Sequence, residues 1–321
     1  MSRRATISGV GGELPGEPVG NAHFASYLDT DDAWIVSRTG IEARHRAPAD
    51  MSLVDLALPA AERALASAKV KAAELDLIIM ATTTPDQFMP ATACLLQARL
   101  DGAAGCPAFD VQAVCSGFVY ALQLADAAVR AGQAERVLVV GADMYSRILD
   151  YQDRGTCILF GDGAGAAVVT ATETEGTGIA AVDLHADGRL AAIIETPGRV
   201  SGQRLEGTGA FAMDGPQVYK VAIEKMAESA RAVCDQAAVA PADLAWLVAH
   251  QANLRIIDRV AKDLGLADER VVRTVARHAN TSAASIPLAL ASVWDRIVPG
   301  DWVLFTAAGG GFTWGSVLWR A

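Results

Sequence analysis

Three residues of this chain have types and settings that could do chemistry together: Cys115, His250 and Asn280. Cys115 stands in "FDVQAVCSGFVYAL", residues 109–122, where an apolar run ends and an alanine-rich helical pattern begins. A thiol is nucleophilic as the thiolate, and a helix N-terminus favours negative charge. The free backbone N–H groups of that first turn can also hold an oxyanion. Gly117 leaves room near the sulfur, and Gly132 suits the helix C-terminus. His250 closes the apolar run "LAWLVAH", and ligands of open α/β sheets gather at the carboxyl ends of strands. Asn280 opens the helical stretch "HANTSAASIPLALASVWDRI". A histidine can stabilise a thiolate or donate hydrogen bonds, and an asparagine amide is a neutral donor. Donors without a strong base suit an enolate or oxyanion better than the activation of water. Each residue also has a plainer reading: a small buried hydrophobe, a satisfied strand-end histidine, a helix N-cap.

The elements that would position these residues occur twice. Residues 70–81, "VKAAELDLIIMA", and 239–250, "VAPADLAWLVAH", each place a polar turn and a leucine before a short apolar run. Each follows an alanine-rich helical segment, and "RVLVVGAD" then matches "WVLFTAAG" as a further buried strand. "GDGAGAAVVTA" and "GGGFTWGSVLW" supply a glycine-rich turn and another strand in each half. These glycine clusters do not fit the phosphate-loop pattern GxxxxGK[ST] and read as tight turns. Alternating strands and helices predict mixed or parallel sheets covered by helices, here in two pseudo-symmetric halves, 1–172 and 173–321. The boundary is expected between Ala171 and Gly178, in the turn-rich "TATETEGTG". In that alignment Cys115 and Asn280 take nearly matching positions at helix N-termini, which a pseudo-twofold axis would bring together.

Composition narrows the field. With 52% apolar and only 6% aromatic residues, the core is built from Ala, Val, Leu and Ile. No stretch approaches the ~18 uninterrupted apolar residues of a membrane span, and "MSRRATISGVGG" lacks the apolar core of a signal peptide. Five scattered cysteines without a CxxC pair argue against a disulfide framework or metal site and for the reducing cytoplasm. A net charge of −10 argues against nucleic-acid binding.

The stretches "DDAWIVSRTGI", "GCPAFDVQAVCSGF", "DRGTCILFGDGAGAAV", "HQANLRII", "HANTSAAS" and "GGGFTWGS" carry a resemblance that runs from Asp31 to Ser316. The chain resembles the β-ketoacyl-acyl-carrier-protein synthase III family, condensing enzymes of the thiolase superfamily that initiate bacterial fatty acid synthesis. The resemblance implies a duplicated thiolase-like five-layer α-β-α-β-α fold, a homodimer, and no cofactor. It implies that Cys115 attacks a short acyl-CoA, and that malonyl-acyl carrier protein then loses CO2 with His250 and Asn280 bonding its thioester carbonyl. The backbone N–H groups of Cys115 and Gly310 would form the oxyanion hole. Trp34 and Arg154 would sandwich the CoA adenine, Arg38 would contact the nucleotide phosphates, and Gly215 and Asn253 would line the pantetheine tunnel. From sequence alone Trp34 reads as an ordinary half-buried core residue.

Acyl carrier protein is acidic and would need a positive dock on this acidic chain. "LRIIDRVAKDLG" sets Arg255, Arg259 and Lys262 at i, i+4 and i+7 of a helix, and family position makes that face the dock. Asp258 and Asp263 dilute it, and a solvated charged face is the plainer reading. The chain departs from the family pattern at Met89, Ala279 and Ala308, where phenylalanine, glycine and a bulkier aromatic are common. Met89, followed by Pro90 in a bond that is a candidate for the cis form, and Ala308 touch the acyl pocket and extend the expected primers beyond acetyl. Two alternatives stand beside the housekeeping role. One is a specialised condensing or acyl-transfer enzyme of the same fold, serving secondary metabolism or biotin-precursor synthesis. The other is a cysteine hydrolase, which the missing C-G-[SA]-C-[WY] run and the duplicated α/β pattern oppose.

Overall fold

The computed structural model describes residues 3–201 and 204–321. The first sheet holds β1 (Arg4–Glu13), β2 (Leu77–Ala81), β3 (Ala108–Val111), β4 (Arg136–Met144) and β5 (Asp162–Thr172), in the order β1-β5-β4-β2-β3. β2 runs parallel to β3 and β4, whereas β5 is antiparallel to both β4 and β1. The second holds β6 (Gly178–Ala186), β7 (Leu244–Ala249), β8 (Trp302–Gly309) and β9 (Thr313–Arg320), in the order β6-β9-β8-β7 with the same pattern of directions. The duplicated order is what the repeated sequence pattern requires. The place of a fifth strand is reduced to a single parallel bridge between Leu247 and Val271.

Seven longer helices accompany these sheets: α1 (Asp32–Thr39), α2 (Leu53–Ala68), α3 (Thr92–Arg99), α4 (Gly117–Arg130), α5 (Gly215–Gln236), α6 (Leu254–Asp263) and α7 (Ser285–Val293). α2 and α3 pack on the outside of the first sheet, and α5 with α6 on the outside of the second. α4 and α7 lie between the sheets and touch both, which completes five layers. Their sequences fit that place. α7, "SIPLALASV", is buried on nearly every side, whereas α6, "LRIIDRVAKD", buries Ile256, Ile257, Val260 and Ala261 and turns its charges outward. One apolar cluster joins Ile7, Phe118 and Val119 of the first half to Ile286, Phe305 and Trp319 of the second, so the halves share a core.

At the centre the two middle helices begin from matching elbows. A 3₁₀ turn at Val114–Ser116 precedes α4, and one at Ser282–Ala284 precedes α7. Val114 (φ 49°) and Ser282 (φ 51°) both take the left-handed conformation, an uncommon one for a β-branched valine. The strict counterpart of Cys115 is therefore Ala283, and Asn280 sits three residues ahead of it. This refines the near match read from sequence.

The elbows are held by reciprocal glycines. A Cβ on Gly141 of β4 would lie 2.2 Å from Ala283 O, and one on Gly309 of β8 would lie 2.7 Å from Cys115 N. Each half supplies the bare backbone against which the other's elbow rests. Gly141→Ala should therefore destabilise the protein by about 1–3 kcal/mol, the usual cost of overpacking a closed site. Denaturant unfolding checks this; an unchanged midpoint would show that the elbow yields freely.

Candidate active site

Cys115, His250 and Asn280 open onto one cavity of about 620 Å³. All three are buried, at 4%, 2% and 6% exposure, so they form its floor. Phe160, Ile194, Ala308 and Phe312 wall it, and Trp34, Arg38, Arg154 and Arg255 stand at its rim with Gly215 and Asn253. Met89, Arg259 and Lys262 are not among its lining residues.

The floor is held by backbone and buried polar bonds. His250 follows β7, and its N–H donates to Thr306 O at 2.8 Å. Its Nδ1 lies 2.6 Å from Ser285 Oγ. Asn280 N–H donates to Leu159 O at 2.9 Å, and its Oδ1 accepts from Ser282 N at 2.9 Å. That leaves the Asn280 Nδ2 donors without a partner bond among the described residues. Behind Cys115, the buried Asp143 accepts from Thr83 N at 2.7 Å and from Ala283 N at 3.2 Å, tying both halves to one carboxyl group. The glycine turn after β8 lies beside the Cys115 elbow, with Gly310 next to Val114. The Ser116 and Thr313 hydroxyls are 2.7 Å apart, and Thr313 Oγ1 is 3.0 Å from Gly310 O, which braces elbow and turn together.

Electrostatics change one expectation. A helix N-terminus favours a thiolate, yet burial pushes the Cys115 thiol up to about 12, and the Asp143 carboxylate adds to it while the Ser282 hydroxyl works the other way. The resting nucleophile is a thiol. Burial also takes His250 down to about 3, so its imidazole is neutral at physiological pH and cannot steady a thiolate as a cation. What remains is a floor of neutral donors.

An indole ring and two guanidinium groups meet at the rim. The Arg154 guanidinium lies 4.6 Å from the Trp34 ring centroid, and that of Arg38 lies 6.0 Å away. A flat base needs about 3.5 Å to each neighbour, so Arg154 must swing outward to admit one against Trp34. Arg154 also donates to Asp29 O. Arg44, which sequence reasoning missed, is buried behind this rim. It donates to Ile158 O at 2.6 Å and to Asn21 Oδ1 at 2.7 Å, and Asn21 Nδ2 donates to Asp32 Oδ1 at 2.8 Å. One cation thus links the segment carrying Arg154 to the helix carrying Trp34. Asn253 caps α6 by accepting from Arg255 N at 2.9 Å, and donates to Arg38 O at 3.2 Å.

On the outer face of α6, Arg255 lies 5.5 Å from the Tyr219 ring, and Arg259 is paired with Asp263 at 2.9 Å. Asp258 pairs with Arg273 instead. The exposed cations of that face without an ion pair among the described residues are Arg255 and Lys262. Met89, whose bond to Pro90 is cis, and Phe88 are 81% and 80% exposed in the loop between β2 and α3.

Comparison with known proteins bears on the family and the fold. Residues 109–188 match the model of the 3-oxoacyl-[acyl-carrier-protein] synthase III family, and residues 234–321 match that of its C-terminal region. The structure is similar to the 3-oxoacyl-[acyl-carrier-protein] synthase III of Aquifex aeolicus, at 42% identity and a TM-score of 0.93, covering 99% of this chain and 100% of that one. It is similar to the Pseudomonas aeruginosa enzyme of that name, at 44% identity and 0.92, covering 99% and 98%. The priming β-ketosynthase of the R1128 polyketide biosynthetic pathway also matches, at 33% identity and 0.90, covering 98% and 96%.

The buried thiol makes a kinetic prediction. Alkylation of Cys115 by iodoacetamide should keep accelerating about tenfold per pH unit past pH 9, where a free cysteine of pKa about 8.5 has levelled off. A plateau near pH 8 would instead show a site that stabilises the resting thiolate.

Proposed function

The chain belongs to the 3-oxoacyl-[acyl-carrier-protein] synthase III family of thiolase-fold condensing enzymes, and on that premise we propose that it joins a short acyl-CoA to malonyl-acyl carrier protein through an acyl-Cys115 intermediate. The observation that carries the proposal is the floor itself: a thiol, a neutral imidazole and a side-chain amide on one cavity.

In the first half-reaction Cys115 Sγ forms a bond to the acyl carbonyl carbon and the C–S bond to CoA breaks. The thiol proton leaves with CoA as its free thiol. The N–H groups of Cys115 and Gly310 hold the carbonyl oxygen while it carries negative charge. Trp34, Arg154 and Arg38 bind the nucleotide end, and Gly215 and Asn253 line the path of the pantetheine. In the second, the malonyl group loses CO2 and its bonding pair moves onto the α-carbon. His250 and Asn280 donate to the thioester oxygen of the resulting enolate. The α-carbon then bonds to the acyl carbonyl, Cys115 leaves and takes up a proton, and 3-oxoacyl-acyl carrier protein is released. A neutral donor pair suits this step, because the negative charge reaches the thioester oxygen only as CO2 leaves the carboxylate end.

Carrier protein docks on the α6 face through Arg255 and Lys262, with Arg259 available only once Asp263 gives way. A second copy of the chain covers the edge strand β3, where Phe109 is 39% exposed, together with Phe88 and Met89. An unpaired edge flanked by exposed apolar residues is a template for such pairing. Met89 then reaches the partner's primer pocket, and the small Ala308 beside Cys115 widens this one toward medium or branched primers. The likeness to a priming enzyme of polyketide assembly supports a second reading, in which the same reaction serves a specialised pathway. Either way the enzyme works in the cytoplasm, and no helix among the described residues is long and apolar enough to cross a membrane.

Intact-protein mass spectrometry after incubation with acyl-CoAs of graded length tests the reading and reports the primer. Cys115→Ala should abolish the mass increase. Asn280→Ala should keep it, yet lose condensation with malonyl-carrier protein by ~10²-fold or more, the usual effect of removing one oxyanion donor. Loss of both steps to the same degree would assign Asn280 to the nucleophile or the fold.

A further inference from the structure

A neutral imidazole carries its proton on one nitrogen only, so the donor role of His250 depends on which one. The ring is wholly enclosed except where it meets the cavity, and no protein group among the described residues bonds Nε2. Nδ1 faces Ser285 Oγ at 2.6 Å, the first residue of α7. Ser285 is itself 1% exposed, so the pair is shut off from bulk solvent.

The direction of that bond follows from what else reaches Oγ. Gln251 N–H points at Ser285 Oγ from 3.4 Å and takes one of its two acceptor lone pairs. Gln251 cannot turn away, since its amide is fully engaged. Nε2 donates to Ala249 O at 2.8 Å and Val272 O at 3.0 Å, and Oε1 accepts from Thr274 N at 2.7 Å and Val275 N at 3.2 Å. The other habitual acceptor for a helical serine hydroxyl is the carbonyl four residues back. Here that is Thr281 O, which accepts from Ala284 N at 3.0 Å, and among the described residues Ser285 Oγ bonds neither to it nor to any other carbonyl. His250 Nδ1 is therefore the one acceptor that the hydroxyl meets among the described residues, and donation to it satisfies the buried proton.

We propose that Ser285 is a positioning residue: by donating to His250 Nδ1 it keeps the imidazole proton on Nε2, where it points into the cavity as a hydrogen-bond donor. With the other tautomer Nε2 would present a lone pair to the enolate oxygen, and repulsion would replace the hydrogen bond. This rests on the proposed role of His250 as an enolate donor.

The test reads tautomer and chemistry separately. In protein labelled with ¹⁵N-histidine, the His250 signals are assigned by their loss in His250→Gln. The expected wild-type pattern is a protonated Nε2 and an unprotonated Nδ1. In Ser285→Ala, protonated Nδ1 should appear, and the decay of preformed acyl-Cys115 on adding malonyl-carrier protein should slow about tenfold or more. Acylation by acyl-CoA should stay near the wild-type rate, and Ser285→Thr, which keeps the hydroxyl, should restore the faster decay. A protonated Nδ1 in the wild type would overturn the inference, whether or not the enzyme condenses. So would a Ser285→Ala variant that keeps its tautomer or its decay rate. Should that variant fail to fold, the wild-type spectrum alone decides. A correct tautomer with no condensation would instead sink the proposed function and leave Ser285 as assigned.

Discussion

Everything at the centre of this molecule depends on how closely two helix N-termini approach across the middle layer. The elbow before α4 rests on the backbone of Gly309, and the elbow before α7 rests on that of Gly141. A single methyl on either glycine would meet backbone atoms well inside contact distance. The close approach sets the thiol, the glycine turn and the Asn280 segment around one small space. It also forces Val114 and Ser282 into left-handed backbone, a cost that surrounding packing must offset. Asp143 closes the arrangement by accepting from both halves at the place where the duplication meets itself.

The same closeness decides the chemistry. Enclosure holds Cys115 as a thiol and His250 as a neutral imidazole, so the resting floor has little charge to pull water in. Donors aimed into a low-dielectric cavity stabilise a charge strongly when it forms there and cost no reorganisation at that moment. A hydrolase would need a base to activate water. With its imidazole proton directed to the cavity, His250 is a poor one. The floor suits charge made and spent within a bound substrate.

Much of this could be read from the chain. The repeated helix–strand pattern anticipated two sheets of the same order, and the residue types at Cys115, His250 and Asn280 drew attention to one cavity. The shortfalls have physical causes. The protonation of Cys115 depends on burial, which a local helix-terminus argument does not contain. Ala283 is the true counterpart of Cys115 because the elbows match by backbone conformation, and no residue type announces that. Asp143, Ser285 and Arg44 lay inside quoted or neighbouring motifs, yet each acts through partners more than 30 positions away or in another element. The i, i+4 spacing that put Arg259 on the basic face also put Asp263 within its reach.

The most direct test of the account follows one labelled acyl group through a single turnover. Enzyme loaded with isotopically labelled acyl on Cys115, freed of CoA, is mixed with malonyl-carrier protein, and label and CO2 are followed together. The account predicts that the label moves into 3-oxoacyl-carrier protein with one CO2 released per acyl group lost. Label released as free acid, or CO2 released without transfer of the label, would contradict it.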